Sequence, residues 1–249
     1  MLALTDFRSD SFAHQTVLIT GGLSGMGSAL ANRFTALGAS VITAGLSPGG
    51  GAALVDDRVQ APLRVVQCDV TSAQDVSQLF AGLSRLHVLI NCAGVISRER
   101  EYDVGTFEHV LGVNLVGAFR CCTAASDLLQ ASSGCIVNVA SLFSMAGSPH
   151  APAYGASKAA IAQLTKSLAL ALAPRSVRVN AVAPGWVRTT FTAPVQDNAE
   201  TSRKIIERTP LGRWGEVDDI CGPVTFLCSR DARFVTGAVL AVDGGYSAG

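Results

Sequence analysis

Short apolar runs alternate with longer runs of helical periodicity along most of the chain. Thr16–Thr20 reads as a strand and leads through a glycine-rich turn into a helix over Ser28–Leu37, closed by Gly38. Strands follow at Ser40–Ala44 and Leu63–Gln67, then a helix over Ala73–Leu83 and a strand at Val88–Ile90. A helix over Thr106–Gln130 precedes strand Cys135–Ala140, and a long Ala/Leu-rich helix over Ala153–Ala173 is stopped by Pro174. Strands Val177–Val182 and Ala238–Val242 complete the pattern. Short apolar strands joined by helices predict a doubly wound parallel α/β sheet with helices on both faces. No linker or repeat interrupts residues 1–249, so a single domain is expected.

In an open parallel sheet ligands bind beyond the carboxyl ends of the strands. Gly21, Asp69, Asn91, Ser141 and Pro184 all fall at such ends. The first turn has the spacing Gly-x-x-x-Gly-x-Gly, through Gly21, Gly25 and Gly27. Glycines there let the backbone approach a pyrophosphate at the helix N-terminus, where free N–H groups favour an anion. A glycine-rich turn that binds nothing is the alternative, and its placement between an apolar strand and a helix argues against it. The first βαβ unit is therefore expected to be Rossmann-like and dinucleotide-binding.

Tyr154 and Lys158 stand four residues apart at the start of the long helix, so they share a face. A nearby ammonium would favour the phenolate and bring the phenol pKa towards working pH, as a general acid/base requires. Ser141 lies thirteen residues upstream, at the end of a strand.

Composition narrows the partners. The 19 Lys and Arg balance 19 Asp and Glu, and no basic tract occurs, which disfavours nucleic acid and anionic membranes. Met1–Gln15 carries Asp6, Arg8 and Asp10 and lacks the apolar core of a signal peptide. No apolar run is long enough to span a bilayer, so a cytoplasmic protein is expected. The seven cysteines are odd in number and form no Cys-x-x-Cys, which reads as buried thiols in a reducing compartment and no metal site.

Taken together, these residues resemble the short-chain dehydrogenase/reductase family, over Thr16 to Tyr246. The resemblance implies a pyrophosphate loop with contacts from Gly21, Leu23, Ser24, Gly25, Met26 and Gly27, and an adenine-contacting pair Asp69–Val70. Asn91-Cys92-Ala93-Gly94 is similar to the family's Asn-Asn-Ala-Gly signature with Cys92 as the departure, which would alter packing beneath the adenosine. Asn91, Ala93 and Gly94 are expected at the cofactor. Asn114, Ser141, Tyr154 and Lys158 match the catalytic tetrad. Pro184, Gly185, Val187 and Thr189 match the segment that holds the nicotinamide. The implied reaction interconverts a secondary alcohol and a ketone by hydride transfer with NAD(P). Ser141 donates to the substrate oxygen and Tyr154 transfers its proton. Lys158 lowers the Tyr154 pKa and holds the nicotinamide ribose, and Asn114 anchors a water leading to Lys158.

Cofactor preference turns on Gly45 and Leu46, where the family usually carries an acid for NAD or a base for NADP. Neither is present, and Ser24 stands where NADP-preferring relatives often have Arg. NAD(H) is expected over NADP(H), because a bound phosphate needs a cation more than a hydroxyl needs a carboxylate. Residues 186–213 are expected to form a flap over a small-molecule site. Phe143, His150, Trp186, Phe191, Pro194 and Val195 suggest a partly apolar pocket without a strong fixed charge. His150 reads as a solvated loop residue and Arg188 as a surface arginine. His87 has no role assignable from the sequence. The family resemblance further implies a homo-oligomer, a dimer or tetramer. Two other functions fit less well: an NADPH-dependent 3-oxoacyl-thioester reductase, which lacks its expected arginine here, and a non-catalytic nucleotide sensor, which would commonly lose Tyr or Lys.

Overall fold

A computed structural model of the chain describes residues 10–47 and 63–249; of the N-terminal stretch read above, positions 1–9 lie outside the described residues. Alternation decides which way each strand faces. In β1 (Thr16–Thr20), Val17 and Ile19 enter one apolar cluster and Leu18 the other. The same division holds for Val41 against Ile42 in β2 (Ser40–Gly45), and for Val88 and Ile90 against Leu89 in β4 (Val88–Asn91). With β3 (Leu63–Gln67), β5 (Cys135–Val139), β6 (Arg178–Pro184) and β7 (Val239–Val242), these form a seven-stranded sheet in the order β3-β2-β1-β4-β5-β6-β7. Every pairing is parallel.

One face is covered by α1 (Gly25–Ala36) and α8 (Val217–Cys228), through Leu30, Phe34, Val224 and Leu227. The other is covered by α2 (Ala73–Ala81), α4 (Ala118–Ser132) and α5 (Pro152–Leu172), through Leu79, Leu129 and Leu172. The expected α/β architecture is therefore present. Strand order reverses between β1 and β4, and the crevice at that switch point is where a doubly wound sheet binds ligands. His87, silent in the sequence, accepts a hydrogen bond from the Thr16 backbone through Nδ1 (2.9 Å) and so ties the start of β1 to the approach to β4.

Three elements differ from the sequence reading. Helix α1 begins at Gly25, not Ser28, so two glycines lie inside its first turn. A side chain at Gly27 would place its Cβ 2.1 Å from the Gly21 carbonyl oxygen, so that turn has no room for any other residue. The expected Thr106–Gln130 helix is divided into α3 (Val104–Leu111), a π-helical turn over Gly112–Gly117, and α4. Such wide turns occur often at functional sites, and Asn114 lies in this one. The 186–213 flap contains two helices of its own, α6 (Ala193–Gln196) and α7 (Ala199–Arg208). Helix α7 is polar in composition and buries only Ile205, so no apolar run marks it in the sequence.

Helix α5 starts without a side-chain cap of its own, at Ala151 followed by Pro152. The missing acceptor comes from the segment after β4. Glu101, 1% exposed, accepts from the Tyr154 backbone N–H through Oε2 (2.9 Å) and from the Ser97 N–H through Oε1 (2.8 Å). A carboxylate at the positive end of a helix is favourably placed, and this one joins the 95–101 segment to the helix that carries Tyr154 and Lys158. Replacing Glu101 with Ala strands both N–H groups in the interior and should lower the unfolding free energy by about 2–4 kcal/mol. Urea denaturation measures this, and an unchanged midpoint would contradict it.

Candidate active site

Two cavities meet at the carboxyl edge of the sheet. The inner one holds about 200 Å³ and the outer about 340 Å³, and Gly21, Ser24 and Gly94 belong to the walls of both. They therefore form one trough, running from β2 past the N-terminus of α1 to α5. The inner wall includes Gly25, Met26, Gly27, Ser141, Tyr154, Lys158, Pro184, Gly185, Val187 and Thr189. The outer wall includes Leu23, Gly45, Leu46, Asp69, Val70 and Ala93. All but two of the site residues expected from the sequence are thus brought to the trough.

The two exceptions are asparagines with structural partners. Asn91 is buried, and its amide donates to Asn138 Oδ1 (2.9 Å) and the Cys122 thiol (3.1 Å). The Asn91 side chain thus pairs with Asn138, its neighbour in register on β5, and links β4 to α4. Asn114 accepts from the Val95 N–H (2.8 Å) and donates to the Val95 carbonyl (2.9 Å) and to Ser157 Oγ (3.0 Å). It clamps the segment after β4 against α5 and does not form part of the cavity wall. Gly94 lies between Asn114 and Lys158; a Cβ there would stand 3.4 Å from Asn114 Oδ1 and 3.6 Å from Lys158 Nζ.

Ser141 follows β5 and caps a short 3₁₀ turn, with Oγ accepting from the Phe143 N–H at 3.2 Å. Lys158 is buried and donates through Nζ to the Val139 carbonyl at 2.6 Å. Its other donors remain available to a ligand in the inner cavity. Tyr154 stands among aromatic rings, Phe143 at 6.2 Å and Phe191 at 5.9 Å between centroids.

Burial sets the electrostatics of this group. It pushes the Tyr154 phenol up to about 12, opposed by hydrogen bonding to Ser141 and by the charge of Arg98. It brings the Lys158 ammonium down to about 8. The cation that opposes burial at the Tyr154 phenol in this structure is Arg98. Lys158 Nζ lies 5.6 Å from the Tyr154 ring centroid and is bonded to the Val139 backbone carbonyl.

Arg98 was missed in the sequence, as was Glu101. Both belong to the run Arg98-Glu99-Arg100-Glu101, which reads as a solvated charged loop, and no spacing distinguishes its members. Cys92 lies on the inner wall, where burial pushes its thiol up to about 11 against the charge of Lys158. Of the flap, residues 186, 187 and 189–192 reach the inner wall; Pro194 and Val195 do not. His150 pairs with Glu99 (2.8 Å) in solvent, as expected of a loop histidine. Arg188 pairs with Glu216 (3.2 Å) and lies over Trp214, away from the cavity.

The trough fits a dinucleotide. The N-cap of α1, Ser24, is extended and makes no side-chain cap, so the first N–H groups of the helix stay open to an anion where Gly27 admits close backbone approach. At the outer end no lysine or arginine stands on the described wall. A side chain at Gly45 would place its Cβ 2.8 Å from Leu23 Cδ1, so Leu23 occupies the space where an acidic residue would begin.

Known proteins resemble the chain over most of its length. A family model described as Enoyl-(Acyl carrier protein) reductase matches residues 21–247. The chain is 37% identical over 244 residues to the 2-dehydro-3-deoxy-D-gluconate 5-dehydrogenase of Bacillus subtilis (strain 168), covering 95% of this chain and 96% of that one. It is 34% identical over 243 residues to the cyclopentanol dehydrogenase of Comamonas testosteroni, covering 94% and 97%. A crystal structure from Beutenbergia cavernae, of a proposed NAD(P)-dependent gluconate 5-dehydrogenase with NADP bound at low occupancy, superposes with a TM-score of 0.91 at 36% identity, covering 97% of this chain and all of that one. No helix among the described residues is long and apolar enough to cross a membrane. The chain belongs to the short-chain dehydrogenase/reductase family and is an oxidoreductase of CH–OH groups that works with a nicotinamide dinucleotide.

Proposed function

We propose that the chain interconverts secondary alcohols and ketones at the inner cavity, with Tyr154 as general acid/base, Ser141 as the hydrogen-bond donor to the substrate oxygen and Lys158 as the group that binds the nicotinamide ribose. The observation that carries this reading is the convergence of Ser141, Tyr154 and Lys158 on one wall of a cavity continuous with the dinucleotide trough. The alcohol that each named relative oxidises is secondary. When bound, the nicotinamide takes up or supplies the hydride. Everything else falls to the chain's own residues. Ser141 stabilises charge developing on the substrate oxygen, and Tyr154 accepts the hydroxyl proton in oxidation or returns it in reduction. Phe143, Trp186 and Phe191 keep water from that oxygen and strengthen both interactions.

For the cofactor we propose NAD(H) over NADP(H). The support is the outer wall, where Gly45, Leu46 and Ser24 offer no cation to a ribose phosphate, although the Beutenbergia relative holds NADP.

Tyr154→Phe should lower kcat for alcohol oxidation by about 10²–10⁴-fold while leaving NADH affinity unchanged, measured by absorbance of the reduced cofactor and by titration. Undiminished turnover in that variant would contradict the assignment. Side-by-side titration of the native protein should find NADH bound about tenfold tighter than NADPH, about 1.4 kcal/mol. Tighter NADPH would reverse the cofactor proposal.

A further inference from the structure

We propose that Arg98 is the anion anchor of the inner cavity, and that the substrates are hydroxy acids and the matching keto acids, held by their carboxylate on the Arg98 guanidinium. This rests on the reading of the inner cavity as the alcohol site.

Arg98 belongs to the wall of that cavity, half-buried, in a segment fixed at both ends. Asn114 holds Val95, and Glu101 holds Ser97 and the α5 N-terminus. The guanidinium rests 6.0 Å from the Phe191 ring centroid, and among the described residues its one hydrogen bond is a long contact, 3.4 Å, to the Phe191 carbonyl. Five N–H donors in a planar fork are thus left almost unused.

The flanking carboxylates make no ion pair with Arg98 among the described residues, although the charge of Glu101 favours its own. Glu99 is paired with His150, and Glu101 has each oxygen committed to a backbone N–H. Among the described residues, no ion pair is made by Arg98. Burial also works against its charge, which lowers its pKa from the usual arginine value. A cation held partly out of water with open donors is costly unless a ligand completes it. A planar carboxylate matches its fork in a bidentate, charge-assisted pair.

The distances suit a small bifunctional substrate. Phe191 lies about 6 Å from both Arg98 and the Tyr154 ring, so one molecule packed on Phe191 can present a carboxylate to Arg98 and a hydroxyl to Tyr154. Ile96, Phe143 and Trp186 give the remaining wall an apolar character that selects no second charge. Arg188, the arginine singled out from sequence, is engaged elsewhere by Glu216.

The test is calorimetric titration of the NADH-loaded protein with cyclohexanecarboxylate and with cyclohexanecarboxamide, which differ in charge and little in shape. The native protein should bind the acid at least about tenfold tighter than the amide. Arg98→Gln should erase that ratio, and Arg98→Lys should keep part of it, with NADH affinity confirming that each variant is folded. Equal binding of acid and amide by the native protein, no binding of the acid, or a preference that survives Arg98→Gln would overturn the proposal. Tyr154→Phe separates the two readings: an Arg98-dependent preference for the acid in a protein whose Tyr154→Phe variant still turns over alcohols would leave the anion anchor standing and remove the catalytic assignment.

Discussion

The buried carboxylate of Glu101 joins two parts of the molecule that must not move relative to each other. One is the N-terminal turn of α5, which carries Tyr154 and Lys158; the other is the 95–101 segment, which forms the opposite side of the inner cavity. An ion bonded to backbone N–H groups away from water is strong because its loss strands both donors. Asn114 adds a second clamp from the π-helical turn to Val95 and Ser157. The active site is therefore held from both walls, by groups that line neither cavity.

The inner cavity resists charge. The same burial that raises the Tyr154 phenol depresses the Lys158 ammonium, so without ligands the two are driven towards their neutral forms. Ser141 and Arg98 act against this for the phenol. A proton-transfer group in such a setting is sensitive to each ionic or hydrogen-bonding partner that enters, because few others screen it.

The parallel sheet and the residues at its strand ends were legible in the sequence because apolar alternation and glycine spacing record backbone geometry directly. Tyr154 and Lys158 were legible as a pair because helix periodicity puts positions 154 and 158 on one face, and Ser141 joined them through the family resemblance. The rest depends on contacts that no local pattern encodes. The widened turn at Asn114 has ordinary helical composition, and α7 is polar in composition. Asn91 carries a side chain suited to a cofactor, yet its register opposite Asn138 directs it into the sheet. Arg98 and Glu101 differ only in tertiary surroundings from the arginine and glutamate between them, and those surroundings make one a cavity wall and the other a buried cap.

The central claim, that ionisation of Tyr154 governs the chemistry, is tested most directly by two titrations of the NAD-loaded protein. One is the pH dependence of kcat/KM for alcohol oxidation; the other is the ultraviolet difference titration of the phenol, native minus Tyr154→Phe, which isolates one of the three tyrosines. Oxidation requires the phenolate, so the rate should rise with pH, and both curves should share one apparent pKa. A rate that turns at a pH where the Tyr154 phenol does not ionise would contradict the account.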